Sequence, residues 1–294
     1  MKVIVTGCHG QVGHALINKL KKHSELNLFA FSRNELDITN HMALDEVINK
    51  LAPDVIINAA AYTAVDKAES DIESSYSVNY TAVTNLAKTA EKLGALFLHI
   101  STDYVFDGNK NFLYLEQDLP NPISIYGKSK LAGETAIAKY CTYYVILRTS
   151  WVFGEHGNNF VKTMIKLGKE KNELNIINDQ IGGPTYSGDI ADALISIMDK
   201  MTKNKNASLS GIYHFSGYPN VSWYDFAKAI FIEAKKQHLI LNIPNLNKIK
   251  TIEYPLPASR PKNSRLNCEK IKDTFGILPS NWKNALQHIK EYES

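Results

Sequence analysis

Residues 2–13 read KVIVTGCHGQVG, and this stretch decides the fold class. Its first part, Lys2–Thr6, is a nearly uniform apolar run, as is typical of a buried parallel strand. Glycines follow at positions 7, 10 and 13, where a dinucleotide loop needs a tight turn, close backbone approach to a pyrophosphate, and close helix packing. A helix starting at Gln11 would present free N–H groups to the phosphates. The stretch predicts dinucleotide binding; a turn that needs glycine only for its backbone is the alternative.

The rest of the first half repeats the order of strand and helix. Nearly uniform apolar strands alternating with amphipathic helices indicate a parallel sheet covered on both faces. The predicted strands are Lys2–Thr6, Leu26–Phe31, Val55–Asn58, Leu96–Ser101 and Tyr143–Arg148. The predicted helices lie near Gln11–Lys22, Met42–Leu51, Ser74–Leu93 and Tyr126–Lys139. We therefore expect an α/β, Rossmann-type, doubly wound parallel sheet.

The second half is less regular and richer in proline. It offers short apolar pieces at Leu174–Ile177 and Gly211–Phe215, and helices near Asp189–Lys200 and Ser222–Lys236. This pattern predicts a smaller, mixed α/β lobe. We expect an NAD(P)-binding domain at 1–150 and a substrate-binding lobe at 151–294, with some segments of the lobe able to return to the first domain.

Composition excludes several classes of protein. A net charge of +3 in 294 residues, with no dense Lys/Arg run, argues against a nucleic-acid partner. No apolar run reaches the roughly 18 to 20 residues that span a bilayer, so no membrane partner is expected. The three cysteines are far apart and suggest neither a disulfide framework nor a zinc site. These features, with no signal peptide ahead of the first strand, predict a soluble cytoplasmic enzyme.

Tyr126 and Lys130 are the candidate catalytic pair. They stand four residues apart in a predicted helix and therefore on one face of it. An ammonium beside a phenol favours the phenolate and lowers the pKa of the tyrosine, which would suit proton transfer near neutral pH. An ordinary solvated helix face is the commoner meaning of such a pair.

Thr102 is the third candidate, at the end of the fourth predicted strand. Ligands of open parallel sheets bind outside the carboxyl ends of the strands, so Thr102 would face the same crevice as the glycine loop. Its hydroxyl could orient a carbonyl beside Tyr126 and Lys130. A turn-capping threonine is the alternative.

Arg33 follows the second strand, where an acid would hold the ribose 2′-OH of NAD and an arginine accommodates the 2′-phosphate of NADP. Its position favours NADPH, and a surface arginine is the alternative. Glu35 and Asp37 lie close by, which keeps NADH open as an accepted cofactor.

These motifs resemble the extended short-chain dehydrogenase/reductase family. The resemblance rests first on the glycine loop, on Asn58-Ala59-Ala60-Ala61 and on Tyr-x-x-x-Lys. It continues nearly end to end through YGKSKLAGE (126–134), RTSWVF (148–153), GNNFVKTM (157–164), INDQIGGPT (177–185) and PASRPKNSRL (257–266). The later stretches are similar to family members that reduce the 4-keto group of a nucleotide sugar, and they imply that small-molecule substrate here.

The resemblance also implies residue roles. The implied cofactor contacts are Gly10, Gln11, Val12, Asp37, Ile38, Ala61, Tyr62, Thr63, Tyr126 and Lys130, and the motifs above add Gly7, Gly13 and Arg33. The implied catalytic residues are Tyr126, as proton donor, Lys130 and Thr102. The implied substrate contacts are Thr102, Asp103, Trp151, Asn159 and Arg260. For Trp151 a buried core aromatic, and for Arg260 a solvated loop charge, are the alternatives.

Metal binding is where the chain departs from the family. Members are described as magnesium-bridged dimers held by glutamates near the first helix, after Pro184-Thr185, and at the C-terminus. This chain carries His14-Ala15 and Gly188-Asp189 at the first two places, and acids only in its tail. We therefore expect no metal site, and a homodimer without magnesium stays open.

Two other functions fit parts of the pattern. A nucleotide-sugar dehydratase or epimerase would share the fold, but related dehydratases carry an acid where this chain has Tyr104. A non-catalytic NADP-binding subunit, such as the regulatory subunit of S-adenosylmethionine synthetase, would not need the full set of Tyr126, Lys130 and Thr102.

Overall fold

The computed structural model describes residues 1–293, apart from the side chain of Asn204. The strands are β1 Lys2–Thr6, β2 Asn27–Phe31, β3 Val55–Asn58, β4 Leu96–Thr102, β5 Tyr144–Thr149, β6 Val152–Phe153, β7 Glu173–Ile177, β8 Ile181–Gly182, β9 Thr185–Tyr186, β10 Gly211–His214, β11 Val221–Ser222, β12 Asn245–Ile249 and β13 Asn263–Ser264. The helices are α1 Gln11–Leu20, α2 His41–Leu51, α3 Val65–Ala68, α4 Ile72–Tyr76, α5 Ala82–Leu93, α6 Ile125–Tyr140, α7 Phe160–Glu170, α8 Ser187–Asn204, α9 Trp223–Lys236, α10 Glu269–Phe275 and α11 Trp282–Leu286.

A six-stranded parallel sheet forms the centre of the molecule. Its strand order is β10-β5-β4-β3-β1-β2, and each neighbouring pair is parallel. The chain leaves β1 to one side for β2 and then returns to the other side for β3. That reversal opens a crevice at the carboxyl ends of β1 and β3, where doubly wound sheets bind ligands. The predicted fold class is confirmed.

Helices cover both faces of this sheet, as uniformly apolar parallel strands require. On one face α1 packs against α8, and their apolar side chains share a core with β1, β3, β4 and β5. On the other face α2, α5 and α6 enclose a second core. Both α8 and the edge strand β10 lie beyond residue 150, so the second half of the chain completes the sheet layer.

The second lobe has its own apolar core. It is built mainly from α7, α9 and the C-terminal residues, with the parallel pair β7 and β12 at its side. Two small ladders, β11-β8-β13 and β6-β9, join it to the chain that leaves β5. No helix within residues 1–293 is long and apolar enough to cross a membrane.

Candidate active site

A cleft runs along the carboxyl ends of the sheet strands and contains most of the predicted site residues. It consists of two cavities, of about 260 Å³ and about 520 Å³, which share His9, Gly10, Ala59 and Ala61 as lining residues and are therefore continuous. Of the predicted residues, the smaller cavity is lined by Gly7, Gly10, Arg33, Asp37, Ile38, Ala61 and Tyr62. The larger is lined by Gly10, Gln11, Val12, Ala61, Thr63, Thr102, Asp103, Tyr126, Lys130 and Trp151.

The glycine loop lies at the junction of the two cavities, and its backbone has no space for side chains. Gly7 has φ +72°, and a Cβ there would lie 2.5 Å from the main-chain nitrogen of Ala60. A Cβ on Gly13 would lie 2.1 Å from the carbonyl oxygen of Gly7. The loop therefore packs closely against the end of β3 and the start of α1. The first residues of α1, Gln11 and Val12, line the cleft, where helix N–H groups can bind a phosphate. This cradle fits a dinucleotide.

The acids after β2 are held by their own loop. Glu35 accepts a hydrogen bond from the main-chain N–H of Ser32 at 2.8 Å, and Asp37 accepts two from Thr39. Arg33 lies 3.4 Å from Asp37 and its side chain is 83% exposed at the mouth of the smaller cavity. Arg33 is thus more exposed than Asp37, its partner, and a cation at this position favours a 2′-phosphate over a free ribose.

Helix α6 carries Tyr126 and is fixed tightly at its start. The Ser124 hydroxyl caps it by accepting from the N–H of Gly127 at 3.1 Å, and Glu69 accepts from the N–H of Ile125 at 2.8 Å. A Cβ on Gly127 would lie 2.2 Å from the carbonyl oxygen of Tyr104, so only glycine lets the helix approach the end of β4 this closely. As a result Tyr126 is buried at the cleft and held against its neighbours.

The predicted lowering of the pKa of Tyr126 by Lys130 is wrong. Burial raises the pKa of Tyr126 to about 12, with a hydrogen bond to Thr102 acting in the opposite direction. The Nζ of Lys130 does not lie against the phenol; it donates to the carbonyl of Ile100 at 2.7 Å and lies 3.2 Å from Nε2 of His99. Tyr126 therefore keeps its proton at neutral pH, as a proton donor must.

Thr102 and Asp103 stand next to Tyr126. The Thr102 hydroxyl donates to Oδ1 of Asp103 at 3.1 Å and accepts from the N–H of Tyr104 at 3.2 Å. Burial raises the pKa of Asp103 to about 6, although hydrogen bonds from Ser264 and Thr102 lower it. Thr102 thus has two roles. It caps the turn, which was the alternative to a role in the site, and it forms a hydrogen bond with Tyr126.

Three of the residues that line the larger cavity each carry an unsatisfied polar atom. Among the described residues, Ser101 Oγ, Asp103 Oδ2 and Thr149 Oγ1 are buried without a hydrogen-bond partner. Buried polar groups normally have partners, so unpartnered ones on residues around one cavity suggest a polar ligand. Sequence reasoning singled out Asp103 alone. The pairing of β4 with β5 sets Thr149 opposite Thr102, on the same face of the sheet, whereas Ser101 lies opposite Arg148.

Trp151 forms the wall between this cavity and the second lobe. Its ring stacks on Trp223 with centroids 3.5 Å apart and planes 8° from parallel. Its backbone has φ +48°, a conformation rare for a bulky residue, which suggests a functional constraint. Gly182 lies beneath the ring, since a Cβ there would be 2.6 Å from Cε2 of Trp151.

Gly182→Ala tests this wall. The added methyl must displace Trp151, so we expect KM for a substrate bound in the larger cavity to rise roughly tenfold and stability to fall by about 1–3 kcal/mol, as for overpacked cores. Steady-state kinetics and denaturant unfolding measure both. Gly276→Ala, at a positive φ but far from the cleft, is the control and should lose stability with KM unchanged. An unchanged KM in Gly182→Ala would contradict the role of the wall.

The structure places the remaining predicted substrate contacts elsewhere. Arg260 forms a bidentate pair with Asp66, at 3.0 and 2.7 Å, and lines a third cavity of about 680 Å³ beside Trp223. Asn159 caps α7 by accepting from the N–H of Lys162, and its amide nitrogen donates to Gln11 at 3.2 Å. The Asn159 side chain therefore joins the second lobe to the phosphate loop.

Metal ligands are not grouped in the part of the chain that the structure describes. No group of three or more His, Cys, Asp or Glu residues there could hold a metal ion. The absence of a metal site stays a prediction from the sequence.

Comparisons with known proteins cover the whole chain. The profile of the family described as RmlD substrate binding domain matches residues 1–293. A dTDP-4-dehydrorhamnose reductase of Aggregatibacter actinomycetemcomitans is 49% identical over 291 residues, which covers 99% of each protein. That of Escherichia coli K12 is 42% identical over 293 residues, covering 98% of this chain and 97% of the relative.

Solved structures agree with these relatives. A dTDP-4-dehydrorhamnose reductase of Clostridium acetobutylicum has a TM-score of 0.91 at 38% identity over 99% of each chain. That of Bacillus anthracis, in complex with NADP, has a TM-score of 0.88 at 38% identity over 98% of each chain. A UDP-glucose 4-epimerase of Thermus thermophilus, in complex with NAD, has a TM-score of 0.80 over 100% of this chain and 99% of the epimerase, but at 19% identity it shows the fold alone.

Proposed function

The chain belongs to the family described as RmlD substrate binding domain, and from this premise we propose that it is an NADPH-dependent reductase of dTDP-4-dehydro-L-rhamnose. The product would be dTDP-L-rhamnose, formed by reduction of the C4 keto group. The relatives of the same name and length support the substrate, and the Bacillus anthracis complex supports the cofactor.

One observation carries the chemistry: a phenol with a raised pKa is buried beside the Thr102 hydroxyl and the Asp103 carboxyl group, in a cleft that continues into a dinucleotide cradle. Tyr126, Thr102 and Asp103 line that cleft together with the loop residues Gly10 and Gln11. This arrangement suits reduction of a carbonyl, because the developing alkoxide needs both a proton and hydrogen-bond donors.

The residues of the chain would act on the carbonyl oxygen. NADPH, when bound, supplies the hydride for C4. The Thr102 hydroxyl, turned from Asp103 to the substrate, polarises the carbonyl by donating to its oxygen, and Tyr126 then gives that oxygen its phenolic proton. Lys130, one helix turn away, is the buried cation near the phenolate that remains.

The sugar would be oriented by the unsatisfied atoms of the cavity. Asp103 Oδ2 can accept a hydrogen bond from a sugar hydroxyl, while the Thr149 hydroxyl, on the same face of the sheet as Thr102, can donate to or accept from another. The nucleotide half would lie beyond Trp151, toward the third cavity, where Trp223 and Arg260 offer an aromatic face and a cation.

Arg33→Ala tests the choice of cofactor. A charge-assisted hydrogen bond contributes about 1.5–3 kcal/mol, so we expect KM for NADPH to rise roughly 10- to 100-fold while KM for NADH hardly changes. The comparison needs the nucleotide sugar at saturation. Lys50→Ala, an exposed cation on α2, is the control for net charge. Equal changes with both cofactors would contradict a 2′-phosphate contact at Arg33.

The proposed function itself is tested by the oxidation of NADPH with dTDP-4-dehydro-L-rhamnose and with its 4-keto-6-deoxyglucose isomer. We expect rapid oxidation with the rhamnose-configured sugar. A rate with only the glucose-configured isomer would assign another sugar pathway. Stoichiometric NAD⁺ retained by the purified protein would favour an epimerase or dehydratase, and a co-purifying synthetase without oxidation would favour a regulatory subunit.

A further inference from the structure

A row of buried polar side chains runs from Lys130 into the sheet. The Nζ of Lys130 lies 3.2 Å from Nε2 of His99, and the other ring nitrogen, Nδ1, lies 3.0 Å from Nδ2 of Asn58. The Thr6 hydroxyl then donates to Oδ1 of Asn58 at 2.7 Å. Thr6, Asn58 and His99 are 0% exposed and Lys130 is 2% exposed. The inner end of this row is sealed from solvent, so the row cannot conduct protons to the surface. Its effect on Lys130 must come from the fixed hydrogen bonds between its side chains.

The orientation of Asn58 decides where the proton of His99 lies. The main-chain N–H of Ala60 donates to Oδ1 of Asn58 at 3.1 Å, and a main-chain N–H can only donate. That atom is therefore the oxygen, and the atom facing His99 is the amide nitrogen, itself only a donor. Nδ1 of His99 must accept, so a neutral ring carries its hydrogen on Nε2. Burial, and then the charge of Lys130, hold the pKa of His99 well below its ordinary value, so the ring is neutral.

The Nε2–H of His99 consequently points at Nζ of Lys130. An N–H donor bonds to a neutral amine but opposes an ammonium, so this contact stabilises the deprotonated lysine. We propose that Asn58 and His99 are positioning residues of the reaction: they hold the Nε2–H tautomer of the ring against Lys130 and make its ammonium a stronger acid. The catalytic meaning of this inference rests on the proposed function.

A stronger acid at Lys130 serves the end of the reaction. Once Tyr126 has given its proton to the substrate, the phenolic O–H bond re-forms with a proton that solvent in the cleft passes on from Lys130, whose N–H bond breaks, and the lysine then takes a proton from solvent. Burial lowers the pKa of Lys130 to about 8, while Glu134 raises it. The titratable or charged groups around Lys130 are His99 on β4, Asp103 after it, Tyr126 and Glu134 on α6, and Arg148 on β5, which pairs with Glu134.

Asn58→Asp reverses the tautomer, and the histidine ¹⁵N shifts of the variant separate this from the charge of the new carboxylate, which also favours the ammonium: an Nε2–H ring with the same Lys130 shift would overturn the inference. The introduced carboxylate can only accept, so it takes the Nδ1–H of His99 and leaves Nε2 free to accept from the ammonium of Lys130. We expect the midpoint of the Lys130 titration to rise by about one pH unit or more, a tenfold weaker acid. The titration is followed by ¹⁵N NMR of lysine-labelled protein without cofactor, and Lys130→Arg identifies the signal by its loss.

Thr6→Val is the matched control, because it removes the hydroxyl at the inner end of the row but keeps Asn58 and His99. Its Lys130 titration should match that of the unchanged protein; a shift equal to that of Asn58→Asp would show a general disturbance of the core and overturn the inference. If Asn58→Asp does not fold, the histidine ¹⁵N shifts of the unchanged protein decide: an Nε2–H tautomer of His99 supports the inference, and an Nδ1–H tautomer overturns it.

Activity gives an independent reading. If protonated Lys130 is required, kcat is intact below its pKa and is lost as the pH rises through it, so Asn58→Asp should move this alkaline limb upward. An unchanged Lys130 titration in an active reductase would defeat the inference and leave the proposed function standing. A shifted Lys130 titration in a protein that reduces no keto sugar would contradict the proposed function and leave the tautomer inference standing.

Discussion

Tyr126→Phe should lower kcat by about 10²- to 10⁴-fold, the usual contribution of a positioned proton donor, while NADPH binds almost as before. The phenylalanine keeps the ring, which packs edge-on against Tyr104 with centroids 5.5 Å apart, so the cleft keeps its shape. Single-turnover oxidation of NADPH, together with a fluorescence titration of the cofactor, separates the two effects.

Tyr104→Phe is the control, because it makes the same change on the neighbouring ring of the same cavity. No proton transfer is assigned to Tyr104, so the loss of its hydroxyl should lower kcat by less than about tenfold. If Tyr126→Phe turns over like the unchanged protein, or if both variants lose the same activity, Tyr126 is not the proton donor.

Glu134→Ala should cost about 3–5 kcal/mol of unfolding free energy, the largest stability effect we expect from a single side chain. Glu134 on α6 pairs with Arg148 on β5 through a 2.6 Å contact, and the two side chains are 2% and 1% exposed. Truncation leaves the guanidinium buried between Phe106 and His214 without its counter-charge. Because α6 also carries Tyr126 and Lys130, we expect kcat to fall as well.

The control for this variant is Glu269→Ala, which removes an exposed partner of Lys272 at 2.9 Å. Exposed pairs contribute about 0–1 kcal/mol, so urea unfolding of this variant should match that of the unchanged protein. A loss below about 1 kcal/mol in Glu134→Ala would mean that the buried pair does not fasten α6 to the sheet.

The sheet domain could be predicted from sequence because its signals are local. The five predicted strands correspond to β1–β5 within one residue at each end, since uniform apolar runs bounded by turn residues need no tertiary information. The helix predicted near Ser74–Leu93 is different: α4 leads through a π-helical stretch, Ser77–Thr81, into α5. There Gly133 of α6 approaches the carbonyl of Asn79 so closely that a Cβ would lie 2.2 Å from it, and a helical period alone cannot reveal such a contact.

The second lobe was less predictable because its short elements depend on partners distant in sequence. Strand β12 reads NLNKI, a weak strand pattern, and it exists by pairing with β7 some seventy residues earlier. Helix α7 follows the cap Asn159, and this capping signal is local enough to predict where the helix begins.

In the cleft, residue types could be predicted but their electrostatics could not. The predicted set of Tyr126, Lys130 and Thr102 does come together, because a helix face and a strand end are local properties. The predicted direction of the pKa shift of Tyr126 was wrong because Lys130 turns toward His99, a residue thirty-one positions away. Contacts of that kind follow from strand register and cannot be read from spacing.

The account is tested most directly by following the hydride. The protein is given dTDP-4-dehydro-L-rhamnose and NADPH deuterated at the transferred position, and the product is analysed by NMR. The account predicts dTDP-L-rhamnose with deuterium at C4 of the sugar, one per NADPH oxidised. Absence of NADPH oxidation, or deuterium at any other carbon, would contradict it.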